Sequence, residues 1–123
     1  MAYMINLNTF CDYRGNLTII ERVLPFNIKR VYYIYNVPTE NVTRGGHRHH
    51  SNIQALICLK GRCEILNNNG SKKENFVLDN PEKCLILESK DWHIMHDFSK
   101  DAILLVLASE NYNPNDYIEE EYS

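Results

Sequence analysis

Short runs of β-branched, aromatic and aliphatic residues alternate along this chain with clusters of turn formers. The runs cover residues 17–23, 29–36, 53–60, 62–66, 75–78, 83–88 and 102–108. They are separated by Arg14-Gly15-Asn16, Pro38, Gly45-Gly46, Gly61, Asn67-Asn68-Asn69-Gly70 and Asn80-Pro81. No stretch between them carries a helical period, and there is no internal repeat, low-complexity segment or linker. Several short strands at this spacing predict an all-β sandwich or closed barrel. Asn69-Gly70 predicts a hairpin between the runs at 64–66 and 76–78, because these two residues accept the positive φ of a tight hairpin turn. A double-sheet jelly roll follows as the expected architecture, since it covers its edges while enclosing a pocket.

Two segments depart from simple alternation. In Arg30-Val31-Tyr32-Tyr33-Ile34-Tyr35, the pleat puts Arg30, Tyr32 and Ile34 on one side and Val31, Tyr33 and Tyr35 on the other. Neither side is purely apolar, which fits a strand lining a wet cavity. The tail from Glu110 onward is polar and ends in an acidic run at 119–121, predicting a surface extension with a frayed end.

Composition narrows the function. At 123 residues the chain is expected to form one domain over 1–123, and 44% hydrophobic content supplies a core without disulfides or a structural metal. The net charge is −3 and the 13 basic residues are scattered, which argues against nucleic acid as partner. The first residues lack a basic segment followed by an apolar run, and the apolar stretch at 102–108 is too short to cross a bilayer. The expected compartment is therefore the cytoplasm, where Cys11, Cys58, Cys63 and Cys84 are expected to be buried thiols.

Chemistry concentrates at Arg44-Gly45-Gly46-His47-Arg48-His49-His50. On a strand, His47 and His49 project to one face about 7 Å apart while Arg48 and His50 point the other way. Two imidazoles on one face suit metal binding, and equally proton shuttling, because imidazole titrates at about 6.5. Gln54 and Gly61 follow His49 at a spacing that matches the first cupin motif, with Gln54 where that motif has glutamate, and His93 after Trp92 falls where the second motif has its histidine. Over roughly residues 44–98 the chain thus resembles the cupins. A metal would use His47, His49, Gln54 and His93. A neutral amide in place of a carboxylate removes a charge and the better oxygen donor for a divalent cation. Three histidines could still hold zinc or iron, but the reading favours metal-free acid–base chemistry with no cofactor.

A closer resemblance runs nearly end to end. Asp12-Tyr13-Arg14-Gly15-Asn16-Leu17, Pro25-Phe26-Asn27-Ile28-Lys29-Arg30-Val31-Tyr32-Tyr33-Ile34, Gln54-Ala55-Leu56-Ile57-Cys58-Leu59-Lys60-Gly61 and Trp92-His93-Ile94-Met95-His96-Asp97-Phe98 resemble the bacterial cupin-type nucleotide-sugar 3,4-ketoisomerases. That resemblance implies a dTDP-linked 4-keto-6-deoxy sugar as substrate and movement of the ketone from C4 to C3 through an enediol or enediolate. It also implies a homodimer, and a product feeding 3-amino-3,6-dideoxy sugars of surface polysaccharide. His47 and His49 are the expected proton carriers, with His49 favoured as the base at C3, and Tyr33 is the expected catalytic hydroxyl. Arg14, Arg30 and Arg44 are candidates for the diphosphate because guanidinium forks match phosphate oxygens. Tyr35, Gln54, His93 and His96 complete the expected substrate contacts. The competing readings are a nucleotide-sugar 3,5-epimerase, a metal-dependent cupin and a non-catalytic sugar-binding domain.

Overall fold

The structure is a computed structural model that describes residues 1–38 and 41–123. Its strands are β1 (Tyr3–Asn6), β2 (Asn8–Asp12), β3 (Gly15–Ile19), β4 (Arg30–Tyr35), β5 (Arg44–His49) and β6 (Gln54–Lys60). They continue as β7 (Cys63–Asn68), β8 (Lys73–Leu78), β9 (Lys83–Leu87), β10 (Trp92–His96), β11 (Ile103–Ala108) and β12 (Tyr117–Ile118). A 3-10 turn over Pro114–Asp116 is the only helical element among the described residues. No helix there is long and apolar enough to cross a membrane.

Two five-stranded sheets carry the fold, ordered β1-β9-β6-β11-β4 and β12-β5-β10-β7-β8, and β2 and β3 form a separate two-stranded hairpin. Every strand pair is antiparallel. The arrangement is the expected cupin-type jelly roll. Asn69-Gly70 lies in the β7–β8 connection, whose flanking residues Asn68 and Lys73 are paired.

The core explains the long apolar runs. Leu56, Cys58, Ile65, Leu85, Leu87, Met95, Leu104 and Val106 fill the space between the two sheets. Ala55, Ile57, Cys84, Ile86 and Leu107 point out of the first sheet, where the segment carrying Ile20, Leu24 and Phe26 covers them. Strands β6, β9 and β11 are therefore buried on both faces, and their sequences read as continuous hydrophobic runs rather than alternation. Cys58, Cys63 and Cys84 are buried free thiols, whereas Cys11 is exposed, against expectation, because its hairpin packs on neither sheet.

Gly61 makes the sharp turn from β6 into β7. It holds φ +68°, and a Cβ there would collide with Ser99 and Asp101 and stand 3.0 Å from the Cα of Ala102. Only glycine fits both the left-handed backbone and that contact.

The C-terminal tail is not a loose extension. Trp92 Nε1 donates to the Glu119 carbonyl at 3.0 Å, Arg48 Nε to the Glu120 carbonyl at 3.2 Å, and the Tyr122 hydroxyl to the Lys90 carbonyl at 2.8 Å. These bonds strap the tail across the second sheet. Polar composition did not prevent docking, because the strap is held by hydrogen bonds of its carbonyls and of the Tyr122 hydroxyl rather than by apolar burial.

Candidate active site

The site begins with the glycine pair ahead of the histidines. Gly45 and Gly46 hold φ +83° and +81°, a region that side chains rarely adopt. Opposite them, β10 pairs His93 with His47 and Ile94 with Gly45, which leaves Gly46 as the extra residue of a β-bulge. A Cβ on Gly45 would lie 3.0 Å from the His93 carbonyl oxygen, so the close approach of β5 to β10 requires glycine there. Beyond the bulge, His47 and His49 face inward. Arg48 faces out, its guanidinium 4.2 Å from the centre of the Tyr122 ring, and His50 is exposed.

Three imidazoles and one tyrosine converge behind this strand. The His47 ring lies 5.0 Å from His49 and 5.2 Å from His93, and His49 and His93 are 6.3 Å apart, centre to centre. Tyr117 packs its ring 4.6 Å from His47 and 4.8 Å from His49, both edge-on. His93 Nδ1 sits 3.2 Å from the Asp91 carbonyl oxygen. A carbonyl only accepts, so Nδ1 holds the proton and Nε2 is left as an acceptor. That Nε2 is buried and unpartnered, as is His49 Nε2.

Burial sets the charge state of all three rings. It pushes His49 down to about 4, helped by His47 and Arg30 and opposed by Asp116. It pushes His93 down to about 3, with His47 adding to the effect. His47 is also lowered by burial, against a backbone hydrogen bond to Gly45 and the charge of Glu119 that favour its proton. Each is a neutral imidazole at pH 7, hence a base rather than an acid in the resting state.

His47 and Tyr117 line a cavity of about 230 Å³ between β4 and β5, together with Arg30, Tyr32, Ile34, Arg44, Gly45 and Met95. Tyr32 is held by Gln54, whose amide nitrogen donates to its hydroxyl oxygen at 2.9 Å. The phenol therefore keeps its own proton for another acceptor. Burial raises the Tyr32 pKa, with Tyr117 adding to the effect and Arg30 and Gln54 opposing it, so the phenol stays protonated at neutral pH. The Arg30 guanidinium lies between two rings, 4.5 Å from the centre of Tyr32 and 5.3 Å from that of Tyr112.

Of the residues expected from the sequence, His47, Arg30 and Arg44 line the cavity. His49, His93 and Gln54 stand behind it, 3%, 1% and 2% exposed. Four others are not brought to it. Tyr33 and Tyr35 stack on each other at 5.7 Å on the outer face of β4, both exposed. The alternation along β4 was legible, but its two faces are alike in polarity, and the inward tyrosine is Tyr32 rather than Tyr33. Arg14 sits on the β2–β3 hairpin, where its Nη2 is 2.6 Å from Asp12 Oδ2. His96 bonds Asn75 Oδ1 through Nε2 at 2.9 Å, on the face of β10 opposite His93. The cavity also contains a residue that sequence reasoning passed over, Tyr117. It lies in the polar tail expected to be a surface extension, where no alternation or apolar run marks it.

The same geometry disfavours a bound metal. Gln54 turns its amide nitrogen to Tyr32 and brings no charge, and among the described residues no group of three or more His, Cys, Asp or Glu has metal-holding geometry. The donor set does not fit a cupin metal.

A cupin-type jelly roll enclosing neutral histidines, a protonated tyrosine and two arginines presents a pocket suited to acid–base chemistry on a small molecule. Comparisons with known proteins sharpen that reading. Residues 2–123 match the family described as FdtA: WxcM-like, C-terminal. The chain is 42% identical over 117 residues to TDP-4-oxo-6-deoxy-alpha-D-glucose-3,4-oxoisomerase of Aneurinibacillus thermoaerophilus, covering 94% of this chain and 84% of that one. It superposes with TM-score 0.92 on a 3,4-ketoisomerase from Helicobacter canadensis at 39% identity, over 97% of this chain and 90% of the other. It also superposes with TM-score 0.92, at 38% identity and over 97% and 87% of the two chains, on a mutant of the 3,4-ketoisomerase QdtA from Thermoanaerobacterium thermosaccharolyticum. That structure is a complex with TDP-4-keto-6-deoxyglucose. The chain belongs to this family, the cupin-type sugar 3,4-ketoisomerases.

Proposed function

We propose that the protein moves the ketone of dTDP-4-keto-6-deoxyglucose from C4 to C3 by histidine-mediated proton transfer, without a cofactor. The observation that carries this reading is one cavity lined by the imidazole of His47, the phenol of Tyr32 and two guanidinium groups. The QdtA complex with that sugar nucleotide and the name of the Aneurinibacillus relative support the choice of substrate.

His47 is the base. It lines the cavity, whereas His49, favoured from the sequence, is buried behind it. His47 takes the C3 proton, which the adjacent carbonyl acidifies, and the electron pair moves into an enediolate across C3 and C4. The imidazolium returns the proton at C4, and a proton passes from O3 to O4, leaving the ketone at C3. Tyr32 donates to the oxygen that carries the developing charge, a donor preorganised by Gln54. His49 and His93 keep the region behind His47 neutral, which favours the free-base form of its imidazole.

A cavity of about 230 Å³ suits a deoxyhexose ring and leaves the nucleotide outside it. Arg30 and Arg44 in its lining are suited to the diphosphate. We assign the protein to the cytoplasm, with its product passing to a 3-aminotransferase class of enzyme making 3-amino-3,6-dideoxy sugars for surface polysaccharide. The functional unit in this reading is a homodimer. Strand β4 ends its sheet with Val31, Tyr33 and Tyr35 exposed, and the β2–β3 hairpin exposes Phe10 and Leu17.

The test is incubation with dTDP-4-keto-6-deoxyglucose and NMR of the sugar carbons. A 3-keto product, trapped with a 3-aminotransferase, is expected. Deuterium entering at C3 and C5 with the ketone still at C4 would make it an epimerase instead.

A further inference from the structure

The strap that carries Tyr117 is tied to the histidine strand at closely spaced points. Asp116, only 9% exposed, accepts from the Ser51 amide at 3.0 Å, the Ser51 hydroxyl at 2.9 Å and the Asn52 amide at 3.1 Å. The His50 amide donates to the Asp116 carbonyl at 3.0 Å. Asn52 Oδ1 in turn accepts from the Glu110 amide at 3.2 Å, at the start of the strap. Asn113 caps the 3-10 turn by accepting from the Asn115 amide at 3.0 Å. One residue beyond Asp116, β12 pairs Tyr117 with His49 and Ile118 with Arg48, so the last strand of the second sheet lies against the catalytic one.

The outcome of this anchoring is a single ring set edge-on against two imidazoles while also lining the cavity. An imidazole's second torsion is broad and poorly fixed by its own rotamer preferences. His49 Nε2 has no hydrogen-bond partner, so packing must fix the ring. Resting on the reading of His47 as base, we infer that Tyr117 is a positioning residue for the His47–His49 pair and that Asp116 is the anchor that holds it in place.

Three variants and two readouts test this. Tyr117→Leu keeps apolar bulk but removes the aromatic edge contacts, Tyr117→Phe keeps the ring and removes only the hydroxyl, and Tyr122→Ala loosens the far end of the strap away from the histidines. Turnover of dTDP-4-keto-6-deoxyglucose gives kcat and KM, and long-range proton–nitrogen NMR of the free protein gives the imidazole tautomers without reference to activity. Tyr117→Leu is expected to lower kcat by about tenfold to a hundredfold, the cost of a small misplacement of a catalytic group, with KM within about threefold. Its His47 and His49 nitrogen signals should average between tautomers. Tyr117→Phe and Tyr122→Ala should keep both kcat and tautomers. Loss in Tyr117→Phe equal to that in Tyr117→Leu would make the hydroxyl a direct participant and overturn the assignment. Equal loss in Tyr122→Ala would reduce it to general strap stability, and unchanged tautomers in Tyr117→Leu would overturn it whatever the activity. Should Tyr117→Leu not fold, Asp116→Asn is expected to give the same mixed tautomers in a weaker degree, and sharp wild-type signals there would refute the anchor. Inactive wild-type protein would sink the proposed reaction while leaving the NMR result to decide the positioning.

Discussion

Acidification should destabilise this protein well before its carboxylates titrate, and the histidines behind the cavity give the size of the effect. In the unfolded chain each imidazole has its ordinary pKa near 6.5. In the folded protein, burial holds His49 at about 4 and His93 at about 3. Below pH 6.5 the unfolded state therefore binds protons that the folded state refuses, and stability falls as pH falls. The depression of His49 from 6.5 to about 4 corresponds to about 3 kcal/mol once fully expressed. By pH 5 it contributes about 2 kcal/mol, and His93 about the same. Together they remove about 4 kcal/mol from a total that for such domains is of order 5–15 kcal/mol. With a urea slope of about 2 kcal/mol per molar, the midpoint should drop by about 2 M between pH 7 and pH 5 at constant ionic strength. The depressed carboxyls of Asp12, Asp79 and Asp116 lie outside this window, because their stabilisation is lost only as pH falls through the acidic range below their ordinary values. His49→Asn should remove about half of the slope. A flat midpoint from pH 7 to pH 5, or an undiminished slope in His49→Asn, would refute the picture of buried neutral imidazoles.

Other consequences follow from particular contacts. Tyr32→Phe should lower kcat by about a hundredfold, the scale of a lost oxyanion donor, while Tyr33→Phe on the outer face should leave kcat within about twofold; the reverse result in steady-state assays would return the catalytic hydroxyl to Tyr33. Gln54→Glu replaces a donor by an acceptor, turning the Tyr32 proton away from the cavity, and should cost about tenfold or more in kcat measured with a chelator present; retained activity would show that the amide does not donate to Tyr32. Gly61→Ala forces a side chain into Ser99, Asp101 and Ala102 at a positive φ, and should lower stability by about 2 kcal/mol or more while kcat at low temperature stays near wild type. An unchanged melting temperature would contradict that packing.

Much of this architecture is written in local chemistry. The runs at 53–60, 83–88 and 102–108 became β6, β9 and β11 because aliphatic and β-branched residues between turn formers have few other ways to be buried. Asn69-Gly70 marked its hairpin, while Gly45-Gly46, expected as a break between runs, form a bulge inside β5, both depending on backbone torsions that glycine allows. The same-face placement of His47 and His49 follows from the pleat alone.

What the tertiary structure decided is which face looks inward and what lies across from it. Strand β4 carries tyrosine on both faces, so only its position opposite β5 selected Tyr32 over Tyr33. Depth separated His47 from His49, because the first lines the cavity and the second is buried behind it. The polar tail became a strap through backbone hydrogen bonds and the buried Asp116, neither of which leaves a hydrophobic pattern to read. Alternation assigns residues to two faces from one strand's covalent geometry, but the meaning of each face exists only once the second sheet has closed over it.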